Sequence, residues 1–310
     1  MSWQNTTLML LLRTRVKPAS TQAPDVAQVR ARTAGTGANA ALRAWLPKLP
    51  RGFKRRPVPG PGGARGSRSF SEWIEPTDAA AAPKTILYLH GGGYFFCSPR
   101  THRSITYTLA AGTGARVFVP DYRLAPEWPF PAALEDALHA YRALIDQGVP
   151  ARSIVVAGDS AGGGLALSLL LVLRDAGDAL PAAGVLFSPW TDLALTGATL
   201  RSNAASDAMF TPESVAHAAA FYLGATPATH PGPSPLYGDF AGLPPLLIHA
   251  SDNEILLADA TRVVEKARAS GVDVVFKSWH GVPHAFQLFT PFLPEAREAL
   301  ADACRFIDAA

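Results

Sequence analysis

From Thr85 onward, short β-branched apolar runs alternate with longer stretches whose apolar residues recur at helical spacing. The runs predict strands at Thr85–Leu89, Arg116–Val119, Ser153–Ala157, Gly184–Phe187, Leu246–His249 and Val272–Lys277. Helices are predicted near 102–112, 131–147, 161–174, 257–270 and 294–308. Strands that are apolar on both faces and separated by helices imply a mostly parallel sheet with right-handed crossovers, covered by helices on each side. Ser67–Ile74 reads as an earlier strand at the sheet edge, and the Pro/Gly-rich stretch 57–66 as the turn leading into it.

Two regions fall outside this alternation. Residues 1–50 are helical in character and precede the sheet, and residues 195–243 form a long insertion before the strand at Leu246. The insertion contains a helix start in Thr211-Pro212, an N-cap followed by proline at the first helical position, predicting a helix over Pro212–Leu223. Insertions of this length in an α/β domain usually serve as lids or binding elements. Both segments are expected to meet over one end of the sheet as a cap, on a core of residues 51–194 and 244–310 within one domain spanning 1–310.

Composition narrows the class. With 48% hydrophobic and 17% charged residues and a net charge of +3, the 310-residue chain is too apolar for disorder. The longest uncharged apolar stretch, Gly162–Leu173, is too short to span a bilayer and reads as a buried helix. The apolar run Leu8–Leu12 has its positive charges after it, the reverse of a secretory signal, so a cytoplasmic protein without membrane insertion is expected. Cys97 and Cys304 are too few for a disulfide framework and are expected as free thiols. Residues 1–70 hold thirteen Lys/Arg against the single acid Asp25. The cluster Arg51, Lys54, Arg55 and Arg56 has no aromatic stacking platform or groove-reading motif beside it. It reads as a solvated face rather than a nucleic-acid site.

Three segments carry candidate chemistry. Gly158-Asp159-Ser160-Ala161-Gly162 lies between a predicted strand and a very apolar helix, the context a nucleophile elbow requires. A serine on so sharp a turn needs neighbours without Cβ two residues away, and the turn sets the Ala161 N–H at a helix start, where it can stabilise a negative oxygen. His90-Gly91-Gly92-Gly93 follows the strand Thr85–Leu89, and its glycines let backbone N–H groups approach a substrate oxygen; His90 itself reads as a loop-packing residue. His280 and His284 lie beyond the strand Val272–Lys277, where a general base would approach Ser160. The Ala285-Phe286 pair after His284 can pack its ring. Asp252, Glu254 and Asp259 all follow the strand Leu246–His249, and any of them could orient an imidazole. Asp259 falls in the next helix and reads as a surface or first-turn carboxylate. The eight histidines lack metal-ligand spacing, and the glycine-rich segments match neither a P-loop nor a dinucleotide fingerprint, so no metal or cofactor is expected.

With these motifs in hand, the chain resembles the hormone-sensitive-lipase-like group of α/β-hydrolase esterases. His90–Tyr94 is similar to its HGGGY motif and Gly158–Gly163 to its GDSAGG elbow. Asp121–Glu127, Ser188–Asp192 and Gly242–Pro245 resemble further blocks of that family. The resemblance runs from about Thr85 to the end, the N-terminal arm matching loosely as a cap. It implies the α/β-hydrolase fold, Ser160 as nucleophile, His284 as base, and the N–H groups of Gly92, Gly93 and Ala161 as an oxyanion hole. Where many relatives carry an acid opening Asp-Pro-Leu, this chain has Glu254-Ile255-Leu256, which resembles a subset using glutamate; Glu254 is the expected acid and Asp252 its alternative. Cys97 stands where relatives often have glycine.

The implied activity is hydrolysis of short- to medium-chain carboxylic esters through an acyl-enzyme, since the chain shows no large apolar surface for an oil interface. An amide or aryl-formamide hydrolase on the same triad is the alternative, as is a ligand receptor of the same fold without catalysis. Tyr94, Trp190, Phe210, Tyr222 and Phe286 are candidate pocket walls. Asp121, Arg123 and Asp192 read as structural, holding loops near the elbow. The resemblance also implies a homodimer paired through the last strand and helix.

Overall fold

Alternate residues of each central strand go to opposite faces of the sheet, so a strand buried on both sides must be apolar throughout. Thr85–Leu89 shows this directly. Ile86 and Tyr88 join one core layer with the helices Arg103–Thr113 and Pro294–Ala309, while Leu87 and Leu89 join the opposite layer with Ala132–Asp146, Ala161–Asp175 and Leu257–Ala269. In the computed structural model, which describes residues 1–17, 21–33, 47–60, 70–78 and 82–310, this pattern builds an eight-stranded sheet between two helical layers.

The strands are β1 (Phe53–Pro59), β2 (Phe70–Pro76), β3 (Thr85–Leu89), β4 (Arg116–Val119), β5 (Ile154–Asp159), β6 (Ala183–Phe187), β7 (Leu246–Ser251) and β8 (Val274–Trp279). The helices are α1 (Trp3–Arg15), α2 (Val26–Thr33), α3 (Arg103–Thr113), α4 (Ala132–Asp146), α5 (Ala161–Asp175), α6 (Pro212–Leu223), α7 (Leu257–Ala269) and α8 (Pro294–Ala309), with a single helical turn at Thr199–Ser202. The order is β1-β2-β4-β3-β5-β6-β7-β8, parallel from β4 to β8 and antiparallel at β1 and β2. β3 is therefore central, and the carboxyl ends of β3, β5 and β7 lie along one edge.

The predicted strands and helices are present, with instructive departures. Residues 57–59 are not a turn but the end of β1, an edge strand whose side chains are mostly exposed; 61–69 lie outside the described residues. β2 is thus second from the edge. Its buried Glu72 and Glu75 neutralise Arg55 (2.8 Å) and Arg56 (3.3 Å), so two cations of the basic cluster are engaged in ion pairs. Glu72 also pairs with Arg103 at the start of α3. β8 begins two residues later than expected and includes Trp279, because an edge strand exposes Val275 and breaks the apolar run.

The helix Pro212–Leu223 starts as its sequence dictates. The Thr211 side chain accepts from Ser214 N–H, and Ser214 Oγ takes the Thr211 N–H, a reciprocal cap. Of residues 1–50, α1 and α2 are helical and 34–46 lie outside the described residues. α1 packs Leu8, Met9 and Leu12 against Trp279, Phe286 and Leu293. Its other face is a correction to the sequence expectation: Trp3, Leu10 and Leu11 are exposed, so the chain does carry an outward apolar surface. Among the described residues no helix is long and apolar enough to cross a membrane.

Candidate active site

β5 runs directly into α5 through Ser160, whose φ of 53° and ψ of −124° lie where a residue with a Cβ is strained. Three backbone bonds hold it there. Ser160 N–H donates to the Phe187 carbonyl (2.8 Å), and the Ser160 carbonyl accepts from Trp190 (2.9 Å) and Gly164 (3.1 Å). The flanking glycines are required by packing. A Cβ on Gly162 would strike the carbonyls of Leu89 and His90, and one on Gly158 the carbonyl of Gly162. The elbow thus sits hard against the end of β3, and the serine is presented at the sheet's carboxyl edge.

The loop after β3 folds over this point. Gly92 (φ 117°) and Gly93 (φ 56°) turn through conformations open to glycine. The Gly91 N–H donates to Asp159 Oδ1 (3.1 Å), while the N–H groups of Gly92, Gly93 and Ala161 make no hydrogen bond to a described residue. His90 is fully buried and stacks on Tyr122 with centroids 4.3 Å apart, while Tyr122 donates to the His90 carbonyl at 2.6 Å. Burial, then the neighbouring His102, pushes His90 down to about 3, so it stays neutral and packs the loop.

The two histidines and two acids beyond β8 and β7 separate cleanly. His284 Nδ1 donates to Glu254 Oε2 at 2.5 Å with both side chains buried, and Glu254 Oε1 accepts from Ser251 N–H at 3.0 Å. His280 instead pairs with Asp252 at 2.6 Å, out in solvent, where Asp252 also accepts from Gly281 N–H. Burial pulls the His284 imidazole down, but the charge and hydrogen bond of Glu254 outweigh it and leave its pKa above the ordinary histidine value. His284 Nε2 is buried and unpartnered, and the residue faces a cavity of about 410 Å³ that Ser160, Gly92 and Gly93 also line.

Asp259 departs from expectation. It is in the first turn of α7, yet it is buried and accepts the N–H groups of Thr191 and Asp192 (both 2.8 Å), because the loop after β6 closes over it. Burial raises its pKa to about 7. Asp192 binds Arg262 (2.8 Å) and Thr196, and Arg123 pairs with Asp136 and Glu135 of α4. Of the candidate wall residues, Trp190 and Phe210 line the cavity. Phe210 meets the His284 ring edge-on at 5.0 Å. Tyr94 and Tyr222 instead stack on each other at 3.7 Å in the core, and Phe286 packs on Trp279. Cys97 is a free thiol in the cavity wall, with φ 70°.

Several residues around the site play parts that no motif announces. Asp159 binds Tyr88 Oη (2.7 Å) and lies 3.2 Å from His102 Nε2, tying the elbow to the glycine loop. Burial would raise its pKa, but His102 and Tyr88 hold it below the usual carboxylate range. A charged residue at the end of an otherwise apolar strand was the available signal. Asp207, in the insertion, caps Met209, Phe210 and Ile255 N–H groups, and Asn203 Nδ2 donates to the carbonyls of Asp252 and Glu254. The insertion thereby fixes the acid-bearing loop, a long-range contact with no local signature. The cavity's outer wall comes from Arg15, Val16, Val29 and Arg32 of the N-terminal arm and Met209, Ser214, Val215 and Ala218 of the insertion.

Comparison with known proteins gives the family of the fold. Residues 86–288 match the model of a family described as alpha/beta hydrolase fold. An acetyl-hydrolase of Streptomyces hygroscopicus is 44% identical over 237 residues, 76% of this chain and 79% of its own. An esterase of Acinetobacter venetianus is 40% identical over 73% of this chain and 75% of its own. The crystal structure of an esterase from the bacterial hormone-sensitive lipase family superposes with a TM-score of 0.87 at 38% identity, covering 100% of this chain and 98% of that one. With the strand order, the elbow and these relatives in agreement, the chain belongs to the α/β-hydrolase fold family, among the bacterial hormone-sensitive-lipase esterases.

Proposed function

We propose that this carboxylic ester hydrolase works through Ser160, His284 and Glu254. The observation that carries the assignment is the buried Glu254–His284 pair, whose remaining imidazole nitrogen is unpartnered and whose ring lines the same cavity as Ser160. His284 Nε2 takes the Ser160 proton as Oγ attacks the ester carbonyl, and Glu254 stabilises the imidazolium. The N–H groups of Gly92, Gly93 and Ala161 receive the developing oxyanion. His284 then protonates the leaving alcohol, and water repeats the sequence to release the acid.

A cavity of about 410 Å³, walled by Phe95, Phe96, Trp190 and Phe210, suits short- to medium-chain esters. The acetyl-hydrolase and esterase names of the relatives point the same way. The N-terminal helices and α6 serve as a cap, supported by their shared contribution to the cavity wall. The outer edge of β8, where Val275 is exposed, supports a homodimer through that strand, to be checked by sedimentation.

The test is p-nitrophenyl butyrate hydrolysis by the wild type, Ser160→Ala and His284→Ala, each confirmed folded by circular dichroism. Loss of at least about 10³-fold in kcat for both variants is expected. A folded Ser160→Ala protein that retains activity would remove the assignment.

A further inference from the structure

α1 is a helix with two apolar faces. Its inner face is anchored by Leu8, Met9 and Leu12, by Asn5 Nδ2 donating to the Gly281 carbonyl (2.9 Å), and by Ser2 binding Glu295 through both its N–H and Oγ. The outward face is therefore held firmly in place. On it Trp3 is 70% exposed, Leu10 66% and Leu11 53%, and Val16 just beyond the helix is 46% exposed. At 100° per residue, Trp3, Thr7, Leu10, Leu11 and Thr14 form one stripe.

Two further features define what this stripe fits. The hydroxyls of Thr7 and Thr14 donate back to the helix carbonyls of Trp3 (3.0 Å) and Leu10 (3.0 Å), so they are satisfied within the helix and add no unpaired donor to the stripe. Arg13 and Arg15 flank the stripe on either side with Lys17 beyond, and the chain has no acid before Asp25. Arg13 holds only the Ser206 carbonyl and Lys17 only carbonyls, so these charges have no carboxylate partner among the described residues.

We propose that the outer face of α1 docks on an anionic phospholipid bilayer surface, sinking Trp3, Leu10 and Leu11 among the acyl chains while the exposed Arg13 and Arg15 meet lipid phosphates. An apolar stripe with an aromatic end and flanking cations is the pattern of an interfacial helix. A second copy of the chain fits this face poorly, because α1 carries no acid, so neither a parallel nor an antiparallel pairing of two such helices offers Arg13 and Arg15 a carboxylate from the facing helix. Arg15 and Val16 also belong to the cavity wall, so docking sets the cavity entrance at the lipid surface. Esters partitioned into the membrane then reach the site without crossing bulk water.

The experiment is cosedimentation with vesicles of mixed phosphatidylglycerol and phosphatidylcholine, beside pure phosphatidylcholine, for the wild type and the double variant Leu10→Gln/Leu11→Gln. The wild type is expected to bind the anionic vesicles, less so as salt rises, and the variant to bind at least about tenfold more weakly. The variant should hydrolyse dissolved p-nitrophenyl butyrate at the wild-type rate, separating loss of docking from loss of the catalytic site. Brominated acyl chains should quench a fluorescence component that Trp3→Phe lacks. Absence of wild-type binding, equal binding by the variant, or a solution dimer that the variant abolishes would each overturn the proposal.

Discussion

His284 and Glu254 are joined by a 2.5 Å hydrogen bond between two side chains that are both shut away from solvent. The acid raises the base's pKa against the pull of burial. Because the imidazole must be neutral to accept the Ser160 proton, activity is lost as pH falls through a value above the ordinary 6.5. Glu254→Gln removes that support and moves the acid limb of the kcat/KM profile to lower pH. It also lowers kcat by about two to four orders of magnitude. A pH–rate profile of the two proteins checks both shifts.

Asp252→Ala removes only the solvent-exposed partner of His280 and the Gly281 N–H. It should keep kcat within about threefold of wild type, whereas Glu254→Ala should leave little. Parallel p-nitrophenyl butyrate assays distinguish the two acids.

Asp159→Ala cuts the tie from the elbow to Gly91, Tyr88 and His102. With the glycine loop no longer fixed, kcat is expected to fall by about 10- to 100-fold, approaching the loss of a single oxyanion donor. Substrate affinity should change less. Steady-state kinetics at the pH optimum read the split.

Asp259 titrates near 7 when folded and near 3.8 in the unfolded chain. The folded state therefore holds the extra proton between these values, and the stability this contributes is lost as pH rises from about 4 to about 7. Asp259→Asn keeps an oxygen for the Thr191 and Asp192 N–H groups but cannot titrate. Urea unfolding at pH 5 and pH 8 should show the variant gaining on the wild type at the higher pH.

Much of this was legible in the sequence, for reasons that also explain what was not. β3 and β4 match their predicted bounds because both are central runs with sharp apolar edges. β1 is hidden because Lys54, Arg55 and Arg56 read as a solvated face and Pro57 opens a Pro/Gly-rich stretch that reads as a turn, and only the carboxylates of β2 make an edge strand of them. Ser160 and the glycine loop announce themselves locally. The acid does not. Asp252 and Glu254 lie two residues apart and face two histidines four residues apart, so either pairing fits the spacing, and burial alone separates them. Tyr94 and Tyr222 looked like cavity walls because composition does not reveal which way an aromatic ring turns.

Arg30 fastens α2 to the core, its guanidinium reaching the carbonyls of Phe95 and Ala125 and both oxygens of Glu127. α2 buries none of its own residues fully and rests only Val26 and Val29 partly on the core, so Arg30 is its polar anchor there. Releasing α2 would break these bonds while leaving the hydrogen-bond ladder of the sheet intact. Hydrogen exchange in α2 should report a separate, lower-energy opening than that of the sheet, and Arg30→Ala should make that opening, and with it exposure of the cavity wall, more frequent.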